Sequence, residues 1–250
     1  MKFFKGSLHY QTRKIHRYLG VFIGIQFFFW TLGGLYFSWN DMDDVHGDTY
    51  RHAPYPVTEN ANLHHIQSAL DSLKTDAVLQ DFQTYNNGVD ELALLKVKIS
   101  GHIQNLVYSL GDLSIMRPVS ETQAVLIATK GLTDVFEVKT VEYLKDGVNA
   151  HHEYRGKPLP AYVVTFNNEE ETSVYVSTQS HRITSIRNNN WRRFDFLWML
   201  HTMDYESRDY ITNWVLRFFS VLGMLTILSG FMLFWISSPT IRKTKKKLKN

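Results

Sequence analysis

The sequence predicts an α+β protein: two transmembrane helices flanking a translocated region of two helix-plus-antiparallel-strand modules. Three observations predict it. Two charge-free runs stand near the chain ends, Tyr18–Asn40 and Phe218–Ile241. Basic residues crowd one flank of each run. Between the runs, helical and strand periodicities alternate twice. The whole-chain mean hydropathy of −0.23 conceals this, because it averages two apolar runs with a polar middle.

The N-terminal segment, 1–17, carries Lys2, Lys5, Arg13, Lys14 and Arg17. The first span follows at 18–39. A helix needs about 20 mostly apolar residues to cross ~30 Å of hydrocarbon, and both runs suffice. The first is too long for a cleaved signal, whose apolar core is about 7–15 residues. It also ends in "LYFSWNDMDD", where Asp41, Asp43, Asp44 and bulky aromatics make poor cleavage flanks. The second span is read at 214–237, and 238–250 is a basic tail containing "RKTKKKLK", Arg242–Lys249. The positive-inside rule places both termini in the cytoplasm and carries the middle across. Tyr36, Trp39, Tyr210 and Trp214 then mark the outer interface, and Tyr18 and Trp235 the inner one.

The tail accounts for the net charge of +3. It reads as topology and attraction to an anionic lipid bilayer rather than as a nucleic-acid site. There is no cysteine, which excludes disulfides, thiolate catalysis and Cys-ligated zinc or iron–sulfur clusters.

In the middle, "NLHHIQSALDSLK" spaces Leu63, Ile66, Leu70 and Leu73 as a helix does. Strand-like "LALLKVKIS" (Leu92–Ser100) and "NLVYSLGD" (Asn105–Asp112) follow, joined by a hairpin-like connection. A second helix begins at "SETQAVLIATKG". Ser120 and Gln123 have capping-box spacing, and Gly131 suits the stop. Strand-like "EVKTVEYLKDG", "PAYVVTFNN" and "TSVYVSTQSHRITSI" come next. Alternation at Val174 and Val176 suggests a half-buried strand. "LVYSLGDLSIM" at Leu106 corresponds to "SVYVSTQSHRI" at Ser173, so the middle reads as an internal repeat, bounded at 40–118 and 119–190. Each half is small for a core of its own and is expected to pack on the other. Residues 191–213 read as an interfacial amphipathic segment, with Phe194, Leu197, Trp198, Leu200 and His201 on its apolar side.

There is no nucleophile elbow, P-loop, dinucleotide fingerprint or HExxH. "HHEYR" at His151 lacks the second histidine at i+4 that a zinc helix needs. His64 and His65 read as surface residues. His46 and His52 flank a polar loop outside the membrane, and His9, His102 and His181 have no evident partner. His16, Gly20 and Gly24 recur at i, i+4 and i+8 and share one helix face, which Thr31 and Gly34 roughly continue. Two readings stand. The face packs closely on another helix, as GxxxG motifs do. Alternatively His16 is an axial haem ligand, with glycines leaving room for a macrocycle. His201 is either a membrane-surface anchor or a second such ligand. The second span has its own small stripe, Gly223, Thr226 and Gly230. Arg217, just inside the outer end, either snorkels to the interface or pairs with a propionate.

"KIHRYLGVFIGIQFFFWTLGGLYFSW", and "FLWMLHTMDY" followed by "VLRFFSVLGMLTILSGFMLFWI", resemble the two membrane segments of the PepSY-associated transmembrane family. The two middle modules are then PepSY-like, although Ser177, Thr178 and Gln179 stand where an Asp-Gly turn is often found. The resemblance implies a bacterial inner-membrane protein with a periplasmic middle. It also implies haem b, because some larger members, with four membrane helices, are regarded as haem-containing reductases of ferric siderophores. Its function would be transmembrane electron transfer in iron acquisition, with His16 and His201 as ligands and Gly20, Gly24 and Arg217 beside the haem.

The two histidines fall at opposite ends of ~30 Å of membrane and cannot share an iron within one chain. Bis-histidine ligation therefore calls for a homodimer or a larger membrane-protein complex. The other class of reading is a non-catalytic accessory or regulatory subunit, whose modules bind a protein or peptide, as PepSY modules are associated with regulation of peptidases.

Overall fold

The computed structural model describes residues 8–58, 63–73, 76–112, 114–208 and 210–238. Its elements run α1 (Leu8–Trp39), α2 (Met42–His46), α3 (Leu63–Ser72), β1 (Val78–Asn86), β2 (Glu91–Ile99), β3 (His102–Ser109), β4 (Ser114–Ile115), α4 (Glu121–Lys130), β5 (Val138–Leu144), β6 (Ala161–Phe166), β7 (Ser173–Ser177), β8 (Ile183–Arg187), α5 (Asn189–Thr202) and α6 (Trp214–Ser237). The chain divides into two compact units: Met1–Trp39 with Phe194–Asn250, and Asn40–Arg193. The α+β class predicted from the sequence is present.

In the first unit, α1 and α6 are both long and apolar enough to cross a membrane. Their apolar side chains are not hidden in a protein core. Val21, Ile25 and Phe28 on α1, and Leu225, Leu228 and Phe231 on α6, are all exposed. A core helix of a soluble protein would bury them, whereas a lipid-facing helix presents them. The helices run antiparallel, with His16 beside Ser229 and Phe27 beside Gly223. The helix of α1 begins well before the charge-free run, so Arg13, Lys14 and Arg17 sit exposed on its first turns. The basic tail and Lys2 and Lys5 lie outside the described residues.

Asn213 caps α6, its Oδ1 accepting from the Leu216 amide at 2.8 Å. The loop ahead of it is organised by the Asp204 carboxylate, which accepts from the Ser207 hydroxyl and from the Glu206, Ser207 and Tyr210 amides. Arg208 reaches back to Asp195 at 2.5 Å.

The second unit holds two four-stranded antiparallel meanders, β1-β2-β3-β4 and β5-β6-β7-β8, each preceded by a helix. The repeat seen in the sequence is thus a repeat of topology: β3–β4 and β7–β8 carry the two corresponding segments. Ala69 and Leu70 of α3 pack on Ala93, Leu95 and Val97. Ala124, Ile127 and Ala128 of α4 pack on Val164, Phe166, Val174 and Ile186. The capping box at Ser120 and Gln123 is formed in both directions.

Three details differ from the sequence expectations. First, β1 was not anticipated. It is an edge strand with a register irregularity between Leu79 and Asp81, and it is mostly exposed, so it lacks clean alternation. Second, "TSVYVSTQSHRITSI" is two strands, β7 and β8, joined by a turn in which His181 takes φ +52°. Third, β7 is buried at every position rather than on one face. The loop after β5 covers its second face, where Tyr154 stacks on Tyr175 at 4.4 Å. Glu153 closes that loop by accepting from the Tyr175 hydroxyl at 2.6 Å and pairing with Arg192 at 2.7 Å.

The turn between β7 and β8 joins the modules. Tyr85 donates to the Ser180 carbonyl at 2.5 Å and Asn87 to that of His181 at 3.1 Å.

Candidate functional site

The first unit brings His201 against α1. On α5, Phe194, Trp198 and His201 recur at helical spacing and lie along one face. Their rings form a near-parallel stack that Trp30 of α1 completes. Neighbouring planes in the order Trp30, His201, Trp198, Phe194 differ by 13°, 14° and 11°. Phe37 stands edge-on to His201 and Trp198. Gln26 donates to the Leu200 carbonyl at 3.2 Å and fixes the end of α5.

The tautomer of His201 follows from its partner. Nδ1 lies 3.2 Å from the Trp30 carbonyl, which only accepts, so Nδ1 carries the proton. In the neutral ring Nε2 keeps its lone pair, and it has no partner among the described residues. An imidazole whose Nδ1–H is tied to a carbonyl and whose Nε2 is free is the usual state of a metal-ligating histidine.

His201 also lines a cavity of about 500 Å³ between α1, α5 and α6. Gln26, Phe27, Trp30, Phe219 and Gly223 share its walls. That volume falls within the ~300–1,000 Å³ typical of small-molecule sites. Met203 and Met224 line it too. Their thioethers are competent soft ligands for iron beside a histidine, and single methionines in apolar sequence gave no signal of this. The lining is apolar and aromatic with few polar groups, Gln26, His201, Thr202 and Ser220 among them.

His16 has the same electronic arrangement at the other end of the helix pair. The Ser229 hydroxyl donates to the Thr226 carbonyl at 2.7 Å, so its oxygen accepts from His16 Nδ1 at 2.8 Å. Nε2 is again left with a lone pair. The ring lies against Gly230, where a β-carbon would stand 3.2 Å from Cε1. His16 lines neither of the cavities between these helices.

The distance between the histidines is shorter than the full membrane thickness expected. His201 docks at Trp30, and the rise from His16 to Trp30 is about 21 Å at ~1.5 Å per residue. That still excludes one shared iron.

The glycines of the two helices differ in what they meet. Gly20 and Gly24 face a smaller cavity of about 200 Å³, and a β-carbon at either would meet nothing within 4 Å. The close approach to α6 is made instead at Gly223, where a β-carbon would stand 3.1 Å from the Phe27 ring, and at Gly230. Arg217 lies exposed on the first turn of α6 and does not line the cavity.

No group of three or more His, Asp or Glu side chains that could hold a metal ion occurs among the described residues, at this site or elsewhere. His52 Nδ1 is held by the Ala53 carbonyl at 2.6 Å. His181 is buried, donating from Nε2 to the Arg117 carbonyl at 3.0 Å. The side chains of His64 and His65 lie outside the described residues.

A family model described as the PepSY-associated TM region matches residues 2–237. No curated protein and no solved structure matches the chain.

Proposed function

Because the chain belongs to the PepSY-associated transmembrane family, and is on that ground a membrane protein of PepSY type, we propose that it carries electrons within the membrane through haem b held by His201. The observation that carries this reading is the pairing of a free Nε2, with Nδ1 fixed on the Trp30 carbonyl, and an apolar cavity of about 500 Å³ at the same ring. Haem supplies a reversible one-electron couple. The residues of the chain orient the ligand, keep water out with Trp30, Phe27 and Phe219, and offer Met203 and Met224 on the cavity wall. The basic first turns of α1, set against Asp41, Asp43 and Asp44, support cytoplasmic termini and a periplasmic middle in a bacterial inner membrane. In that setting the electrons would pass outward, to a ferric chelate.

His16 is the candidate for a second haem, with its other axial ligand supplied by a second copy.

A second reading makes the protein an accessory subunit whose modules bind a protein or peptide. The firm joint between the two meanders, through Tyr85 and Asn87, favours a shaped binding surface there. Reduction of ferric citrate by whole cells separates the two. The electron-transfer reading expects His16→Ala/His201→Ala to lose the activity while the protein is still inserted at parental levels. Full activity in that variant rejects it.

A further inference from the structure

A second cavity, of about 220 Å³, lies at the joint between the two modules. It is independent of the membrane site and of the function proposed for it. One wall is the segment Arg51–Tyr55, the second is the end of β1 at Tyr85–Asn87, and the third comes from Gly131 and from Arg182 and Ile183.

The walls are fixed. His52 stacks on Tyr55 with centroids 4.3 Å apart and planes 5° from parallel. Tyr55 donates to the Lys130 carbonyl at 3.0 Å. The Tyr55 ring seats where Gly88 has no side chain, since a β-carbon there would stand 2.6 Å from the ring. The Arg182 guanidinium lies 3.7 Å over the Tyr85 ring and donates to Gln83 at 3.0 Å.

The charges are unbalanced. Arg51, His52 and Arg182 line the cavity, and no carboxylate does among the described residues. Arg51 contacts Asp48 through Nε only, at 3.4 Å. Arg182 has no carboxylate partner among the described residues, and its NH2 is buried with none. A buried guanidinium N–H without a partner is costly. With Asp48 set against Arg51, Arg182 is the guanidinium on the lining left without an ion-pair partner among the described residues. The helix C-terminal carbonyls nearby do not supply a balance: those of Lys130 and Gly131 are already taken by the Tyr55 hydroxyl and the His52 amide.

From these observations we infer that the inter-module cleft binds a carboxylate carried on an apolar or aromatic body. The planar guanidiniums match the two oxygens of a carboxylate. One unmatched charge suits a monoanion. Pro54, Tyr55, Ile127 and Ile183 provide contact for the body, which a bare inorganic anion would leave unused. The carboxylate could come from a peptide C-terminus or from a small organic acid.

The test is isothermal titration calorimetry on the full chain in non-ionic detergent. The probes are N-acetyl-phenylalanine, its primary amide, the tripeptide acetyl-Ala-Ala-Phe and inorganic phosphate. The free acid is expected to bind at least tenfold more tightly than the amide, and phosphate more weakly than the acid. Arg182→Gln is expected to weaken the acid at least tenfold, and Arg182→Lys to restore it only in part. If Arg182→Gln fails to fold, the same loss is expected in Arg51→Gln, whose side chain is more exposed. Tighter binding of the tripeptide identifies a peptide terminus, and equal binding a small acid. Equal affinity for acid and amide, phosphate binding more tightly than the acid, or folded variants that bind like the parent would each overturn the proposal.

Discussion

Trp30 and His201 are joined twice: their rings stack 4.7 Å apart and 13° from parallel, and Nδ1 of the imidazole donates to the Trp30 carbonyl at 3.2 Å. The two contacts have separable consequences. Trp30→Leu keeps the carbonyl and loses the stack. An aromatic pair is worth about 0.5–1.5 kcal/mol, so haem affinity is expected to fall about two- to tenfold. His201→Ala removes the proposed ligand itself and should lose binding at this site. Haem titration of the purified variants, followed by absorbance, distinguishes the two.

The glycines of the two helices divide into open and closed positions. Gly20→Ala and Gly24→Ala place a methyl group in empty space and remove a poor helix former, which favours the helix by up to about 1 kcal/mol each. Gly223→Ala presses on the Phe27 ring at 3.1 Å and should cost about 1–3 kcal/mol if the ring cannot shift. Thermal unfolding in detergent should therefore rise or hold for the first two and fall for the third.

At the joint between the modules, acid and alkali act on different residues. Burial holds the His181 imidazole below its ordinary value of 6.5, outweighing the Arg117 carbonyl and Asp90 that favour its charged form. Its neutral form is the one that folds, so this contribution is complete above pH 6.5 and is lost as the pH falls below that. Burial pushes the Tyr85 hydroxyl up to about 12, against the opposing pull of Arg182. That contribution is complete below pH 10 and is lost as the pH rises towards 12. Hydrogen exchange of the turn between β7 and β8 should accelerate at both extremes. Tyr85→Phe should remove the alkaline limb, while leaving the Ser180 carbonyl unpaired at a cost of about 1–3 kcal/mol.

Gly131 ends α4 with an ordinary right-handed φ of −79°, so its conformation alone does not require glycine. Space does: a β-carbon would stand 1.9 Å from Ile183 Cδ1. Gly131→Ala should destabilise by about 1–3 kcal/mol. Adding Ile183→Val, which deletes that Cδ1, should recover part of the loss. Denaturant unfolding of the two single variants and the double variant measures the coupling.

The last two cases show what a sequence reveals and what it does not. Local signals were legible. The capping box of α4 depends on residues three apart, and both charge-free runs are visible without any partner. The repeat was legible because β3–β4 and β7–β8 keep the same pattern. Strand β1 was not, because an exposed, bulged edge strand shows little alternation. The turn that splits β7 from β8 was hidden for another reason: it uses no glycine or proline, and His181 takes the positive φ. Spacing placed Gly20 and Gly24 on one face but could not say what meets that face. Position made His201 a candidate. Its bond to Trp30 spans most of the chain and leaves no local trace, and the same holds for the cavity that Met203 and Met224 help to line.

Haem held by His201 in the membrane cavity is the central proposal. The most direct measurement is the absorption spectrum of the full chain, purified from cells supplied with haem, beside that of His201→Ala. The account predicts a Soret band in the parent that falls by half or more in His201→Ala, with the protein folded in both. A parent without a Soret band, or a His201→Ala spectrum with the band undiminished, would contradict it.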